Sequence, residues 1–97
     1  MPNIPETFHL KIFDEKVLLF AEEIKALEAV NEAGPFSVLS GHTNFVSVIT
    51  GALNENKLVV HLANETTQEF IFQKGVLKIF ENAAEVFLVF DLNIGVE

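Results

Sequence analysis

Leu58-Val59-Val60-His61-Leu62, Glu69-Phe70-Ile71-Phe72, Val76-Leu77-Lys78-Ile79-Phe80 and Val86-Phe87-Leu88-Val89-Phe90 are short runs of β-branched, aliphatic and aromatic residues. Such residues suit a pleated, half-buried surface, so each run reads as a strand. Asn54-Glu55-Asn56, Asn64-Glu65-Thr66-Thr67, Lys74-Gly75 and Glu81-Asn82-Ala83 separate the runs and read as turns. With no room for helical crossovers between them, the strands should pair antiparallel in a sandwich or barrel.

Working back toward the N-terminus, Pro2 and Pro5 hold the first residues extended. Phe8, Leu10 and Ile12 then alternate with His9, Lys11 and Phe13 at the period of a half-buried strand. Asp14-Glu15-Lys16 is a short polar break before Val17-Leu18-Leu19-Phe20, which makes the pair a tight hairpin. The segment from Phe20 to Val30 has two readings. Phe20, Ile24 and Leu27 fall at i, i+4 and i+7, which by periodicity favours an amphipathic helix. The competing register is a strand with Ile24, Ala26, Glu28 and Val30 on one face. Asn31-Glu32-Ala33-Gly34-Pro35 reads as a loop, Phe36 to Leu39 as a brief strand, and Ser40-Gly41-His42 as a turn in which Gly takes a positive φ. Phe45, Val46, Val48 and Ile49 follow, and Gly51 ends that run.

The length of 97 residues allows one domain, 1–97, and a hydrophobic fraction of 49% with ten Phe promises a true core. Six Lys against 14 Asp and Glu give a net charge of −8, and the lysines are scattered. A surface for nucleic acid needs clustered cations, so that class is excluded. Nothing resembles a signal peptide or approaches the ~20 apolar residues of a membrane helix, so the sequence reads as that of a soluble chain.

Few residues suggest chemistry. There is no Cys, which excludes thiolate metal sites and thiol nucleophiles. His9, His42 and His61 match no metal-ligand spacing, and they read as two outward strand residues and one that caps or packs a turn. Ser40 and His42 flank a Gly in a turn and are poorly placed to form a nucleophile–base pair. No nucleophile elbow or phosphate-binding Gly loop occurs. Glu22-Glu23 reads as solvated charge, and the Asn64-Glu65-Thr66 sequon as coincidental. No cofactor, metal or small-molecule substrate is therefore expected, and the domain is not expected to be an enzyme. What remains is surface. Val86 to Phe90 is apolar without alternation, so either both faces of that strand are covered or one side is a protein interface. Phe45, just after the tight turn, is open to the same two readings.

Phe36-Ser37-Val38-Leu39-Ser40-Gly41-His42-Thr43-Asn44-Phe45-Val46 resembles the epsilon subunit of F-type ATP synthase, whose strand ends in Pro-Gly-His followed by a small residue, a spacer and two apolar positions. Phe8 to Ile12 is similar to that family's opening strand, Gln73 to Ile79 to its Gly-Gly-aliphatic strand, and Val86 to Val89 to its last strand. Ser40 replaces the usual Pro, Lys74 the first of two Gly, and Pro35 a polar residue. The family commonly carries a C-terminal helical hairpin, which this sequence is expected to lack.

The resemblance implies an all-β, antiparallel sandwich of about ten short strands, with Ile24 to Val30 as strand. It also implies a non-catalytic central-stalk role, coupling the gamma subunit to the c-ring in proton-driven ATP synthesis, on the cytoplasmic face of a bacterial plasma membrane. Carried over by position, Asp14, His42, Phe45, Val46 and Ser47 would contact gamma, and Asn31, Glu32, Ala33, Gly34 and Pro35 the ring loops. Without the hairpin, neither ATP binding nor inhibition of hydrolysis is expected. The alternative is a free-standing β-sandwich adaptor for another protein.

Overall fold

The computed structural model describes residues 6–15, 17–50 and 57–89, and the sequence readings at Pro2, Pro5, Lys16, Gly51, Asn54 to Asn56 and Phe90 lie outside them. The described residues form eight strands and no helix: β1 (Phe8–Asp14), β2 (Val17–Asn31), β3 (Gly34–Leu39), β4 (Phe45–Thr50), β5 (Leu58–Leu62), β6 (Thr67–Phe70), β7 (Lys74–Phe80) and β8 (Ala83–Val89). They join in one sheet of order β4-β7-β8-β1-β2-β5-β6, with β3 paired to β2.

The 15-residue β2 folds that sheet into two layers. Its first half pairs with β1 and its second half with β3 and β5. Between Ile24 and Ala26 the register with β5 shifts, leaving Lys25 as an extra residue. Such a bulge bends a strand and strengthens its twist. It also changes the side-chain parity: Phe20 and Ile24 are buried before it, Leu27 and Ala29 after it. Two strand repeats of opposite parity joined by one bulge thus place apolar residues at i, i+4 and i+7, which is why the local pattern favours a helix. Pairing on both edges decides for strand, as the resemblance implied.

Other expectations shift by a few residues. Gly34 and Pro35 belong to β3 rather than to a loop, and only Glu32 and Ala33 form the turn. Pro is tolerated there because β3 pairs with β2 alone. Lys74-Gly75 opens β7 instead of forming a turn, and β6 ends at Phe70, before Ile71 and Phe72. One pairing departs from the antiparallel expectation, because β1 lies parallel to β8 at the centre of the sheet. Other turns form as expected. Gly41 has φ 85°, and the His42 N–H donates to the Leu39 carbonyl at 3.1 Å. Glu81 and Asn82 both have positive φ (54° and 60°) between the paired Phe80 and Ala83, the twist a two-residue hairpin loop prefers.

The core draws on both layers: Leu10, Ile12, Leu77, Val86 and Leu88 from one, Leu27, Val38, Leu58 and Val60 from the other, with Ile24 at the bend. Among the described residues no polar or charged side chain is buried.

Candidate docking surface

Strand registers across the β4-β7-β8-β1 layer place residues in transverse rows. Ile49, Gly75 and Leu88 form an inward row, as do Ser47, Leu77, Val86 and Ile12. Between them lies an outward row in which Val48 pairs with Val76, Val76 with Phe87, Phe87 with Phe13 and Phe13 with Leu18. All five are apolar. Val48 is 57% exposed, Leu18 50%, Phe87 41% and Val76 37%, and the Phe13 and Phe87 rings stack at 5.1 Å. Val46, 66% exposed, lies on the same face two residues from Val48. Within Val86–Phe90, Val86 and Leu88 are buried and Phe87 is exposed, so the domain itself does not cover both faces of the strand there. The non-alternating β8 run was the sequence signal for this row, but Val48, Val76, Phe13 and Leu18 become its members only through register.

The residues carried over as gamma contacts do not gather at one point. His42 and Phe45 sit at one end of β4, with their rings 4.9 Å apart and the His42 Nδ1 2.8 Å from the Thr43 carbonyl oxygen. That end is stapled to the β7–β8 turn. The Asn82 Oδ1 accepts the Gly41 N–H at 2.7 Å, and the Glu81 N–H donates to Asn44 Oδ1 at 2.9 Å. Asp14 lies at the opposite end of the layer, level with Leu88, Gly75 and Ile49. Val46 faces outward. Phe45 is half-buried against the core and edge-on to Phe36 at 6.1 Å.

Ser47 meets the other carried-over set. The Asn31 Nδ2 donates to Ser47 Oγ at 3.1 Å, the Asn31 Oδ1 accepts the Ala33 N–H at 2.9 Å, and the Ser47 hydroxyl donates to the Val48 carbonyl at 3.1 Å. The first bond braces the β2–β3 hairpin against β4, and the second closes an Asx turn over its tip. An open groove of about 570 Å³ runs between them, lined by Asn31, Glu32, Ala33, Val46, Ser47 and Val48 among others. Glu32, Ala33 and Pro35 are exposed.

The histidines behave as sequence suggested. His9 and His61 point outward and meet Glu23 at 3.0 Å and Glu28 at 2.6 Å, and His42 packs its turn. No group of three metal-ligating side chains occurs among the described residues.

No family model matches the chain, and no curated protein matches it by sequence. Its fold does match solved structures. A chain in the Euglena gracilis mitochondrial ATP synthase, solved as its OSCP/F1/c-ring assembly in rotational state 1, superposes with a TM-score of 0.79 at 18% identity over 90% of this chain. A chain of the central stalk/c-ring of Tetrahymena thermophila mitochondrial ATP synthase superposes with a TM-score of 0.69 at 8% identity over 84%. This chain covers 53% of the Euglena chain and 62% of the Tetrahymena chain, so it spans between half and two thirds of either. The all-β fold is therefore one found in ATP synthase assemblies, in agreement with the resemblance.

Proposed function

We propose that the protein is a non-catalytic central-stalk subunit of an F-type ATP synthase, an epsilon-like rotor element that links the gamma subunit to the c-ring during proton-driven ATP synthesis. The observation that carries this reading is the superposition over 90% of the chain on part of an OSCP/F1/c-ring assembly. The sequence resemblance at Phe36 to Val46 points to the same complex independently. A torque-transmitting spacer has to be stiff and to hold its neighbours through broad contacts rather than one strong bond. The two-layer core supplies stiffness, and the open face with the braced hairpin supplies two surfaces.

In this reading the chain is peripheral to a membrane and held there through its complex. The cytoplasmic face of a bacterial membrane is the location the resemblance implies, whereas both solved neighbours are mitochondrial. His42, Phe45, Val46 and Ser47 lie on or beside the gamma-facing strand, Asp14 marks the far limit of that layer, and the Asn31–Pro35 hairpin tip meets the polar ring loops. A free-standing adaptor would use the same surfaces with a different partner. Co-purification with the gamma subunit of the same genome separates the two: a complex that survives gel filtration at micromolar concentration is expected, and its absence favours the adaptor.

A further inference from the structure

Three stretches far apart in sequence converge at the end of the sandwich that carries His42. They are Thr7 just before β1, the β3–β4 connection of residues 40–44, and the β7–β8 turn of residues 81–82. The two turns exchange side chain for backbone. Asn82 Oδ1 accepts the Gly41 N–H at 2.7 Å, and Asn44 Oδ1 accepts the Glu81 N–H at 2.9 Å, so each turn holds the other. Asn82 reaches further. Its Nδ2 donates to the Thr7 carbonyl at 3.4 Å, and the single proton of the Ser40 hydroxyl has that carbonyl at 3.3 Å and Asn82 Oδ1 at 3.4 Å within reach. One half-buried carboxamide thus meets all three stretches.

The β3–β4 connection depends on such a hold. It contains no proline, and Gly41, with φ 85°, adds backbone freedom. Asn82 is itself fixed by its backbone, at φ 60° in a two-residue loop between the paired Phe80 and Ala83, a conformation that Asn tolerates. The β7–β8 hairpin therefore aims the carboxamide at a more pliant neighbour. That neighbour carries His42 and Phe45, whose rings lie 4.9 Å apart, with Phe45 edge-on to Phe36 at 6.1 Å.

We propose that Asn82 is the positioning residue of this end of the molecule. Its carboxamide sets the conformation of the Ser40-Gly41-His42 turn and with it the placement of the His42 and Phe45 rings, and Asn44 is the reciprocal half of the clasp. Asn82 acts through the turn. The inference rests on the stalk reading only for what His42 and Phe45 contact, and it adds to that reading a residue that the position-by-position carry-over did not include.

Amide exchange and NMR spectra of the intact chain carrying Asn82→Gly, which keeps the positive φ and removes the carboxamide, test the proposal. Exchange at Gly41 is expected to rise about tenfold and the His42 ring signals to shift, while core amides such as that of Leu77 keep their wild-type rates. Asn82→Asp retains an oxygen acceptor for the Gly41 N–H and should restore the wild-type Gly41 rate, which a general loss of stability would not allow. If Asn82→Gly melts too early to be read, Asn44→Ala reports on the clasp from its other half, with faster exchange at Glu81 and shifted His42 signals expected. Wild-type exchange and unmoved His42 signals in the variant read overturn the inference and leave the stalk reading standing. In titrations with purified gamma subunit from the same genome, Asn82→Gly should weaken binding by about threefold to tenfold, with Asn82→Asp near wild type. Equal gamma affinity for wild type and Asn82→Gly also overturns the inference. A wild-type chain that does not bind gamma overturns the stalk reading, and the exchange rates at Gly41 still decide the role of Asn82.

Discussion

The two layers share one core yet finish their outer faces differently. On the β3-β2-β5-β6 layer, polar side chains find partners within the chain: Lys25 meets Glu65, Lys57 meets Glu69, and His61 meets Glu28. On the β4-β7-β8-β1 layer the outward row Val48–Val76–Phe87–Phe13–Leu18 is apolar, and in the row beside it Glu85 lies between Lys78 and Lys11. A strand with one face in water tends to alternate apolar and polar residues, and a contiguous exposed apolar patch is the departure from that pattern which interaction surfaces commonly show. The contrast lies in the outer faces alone, since both layers contribute buried residues to the shared core.

The sharpest way to break that contrast lies within β7, where adjacent residues face opposite ways. Leu77→Ala should destabilise the isolated domain by about 2–5 kcal/mol, a fall in Tm of roughly 4–8 °C for each kcal/mol, because it opens a cavity in the shared core. Val76→Ala should stay within about 0.5 kcal/mol in thermal or urea melts. Equal costs for the two would mean that the outer row is covered within the domain. Gly75→Ala comes next, at about 1–3 kcal/mol by the same melts, because an added Cβ would meet the Phe87 carbonyl oxygen at 2.9 Å and the Leu88 and Ile49 side chains at 3.1 and 3.2 Å. A neutral result there would mean that β7 and β8 lie farther apart than the register requires.

Asn31→Ala tests the brace between the hairpin and β4. Losing its side-chain hydrogen bonds should cost about 1 kcal/mol and accelerate amide exchange at Ala33, which would lose its acceptor. Unchanged exchange would show that the hairpin stands without the brace.

The smallest expected effect belongs to the polar layer. A hydrogen bond from Lys25, and then its charge, hold the Glu65 carboxyl below its ordinary value of 4.5. A depressed folded pKa gives stability that is present above 4.5 and lost as pH falls through the folded value. Lys25 is raised above its ordinary 10.5 by the same pair, so its contribution is lost only as pH rises through that higher value. Glu65→Gln should therefore flatten the acid limb of the stability curve slightly, and less so at high salt, because the pair is open to solvent. An acid limb identical to that of wild type would show that this pair adds nothing to the layer.

Much of the architecture was legible locally. The β1–β2 hairpin, the Gly41 turn and the Glu81–Asn82 turn follow from short polar breaks between apolar runs, and β5, β7 and β8 from their residue types. The β2 segment was not legible locally, because the bulge at Lys25 imitates a helical period. The carried-over contact residues were legible only as positions. Their grouping was not: Ser47 joins Asn31, Val46 lies beside the apolar row and opposite Lys78, and Asp14 stands apart from His42. These relations depend on which strands become neighbours, and residues separated by tens of positions leave no short-range trace of that choice.

Composition, strand-length apolar runs and turn chemistry by themselves determined that the chain is all-β, with one core and no clustered cations for nucleic acid, because such properties arise from each residue's own volume, charge and backbone preference. Only the tertiary structure decided that β2 bends rather than coils, that β1 lies parallel to β8, and that five residues from five strands form one outward apolar row. Cross-strand hydrogen bonding sets register, and register alone turns scattered apolar positions into a continuous surface.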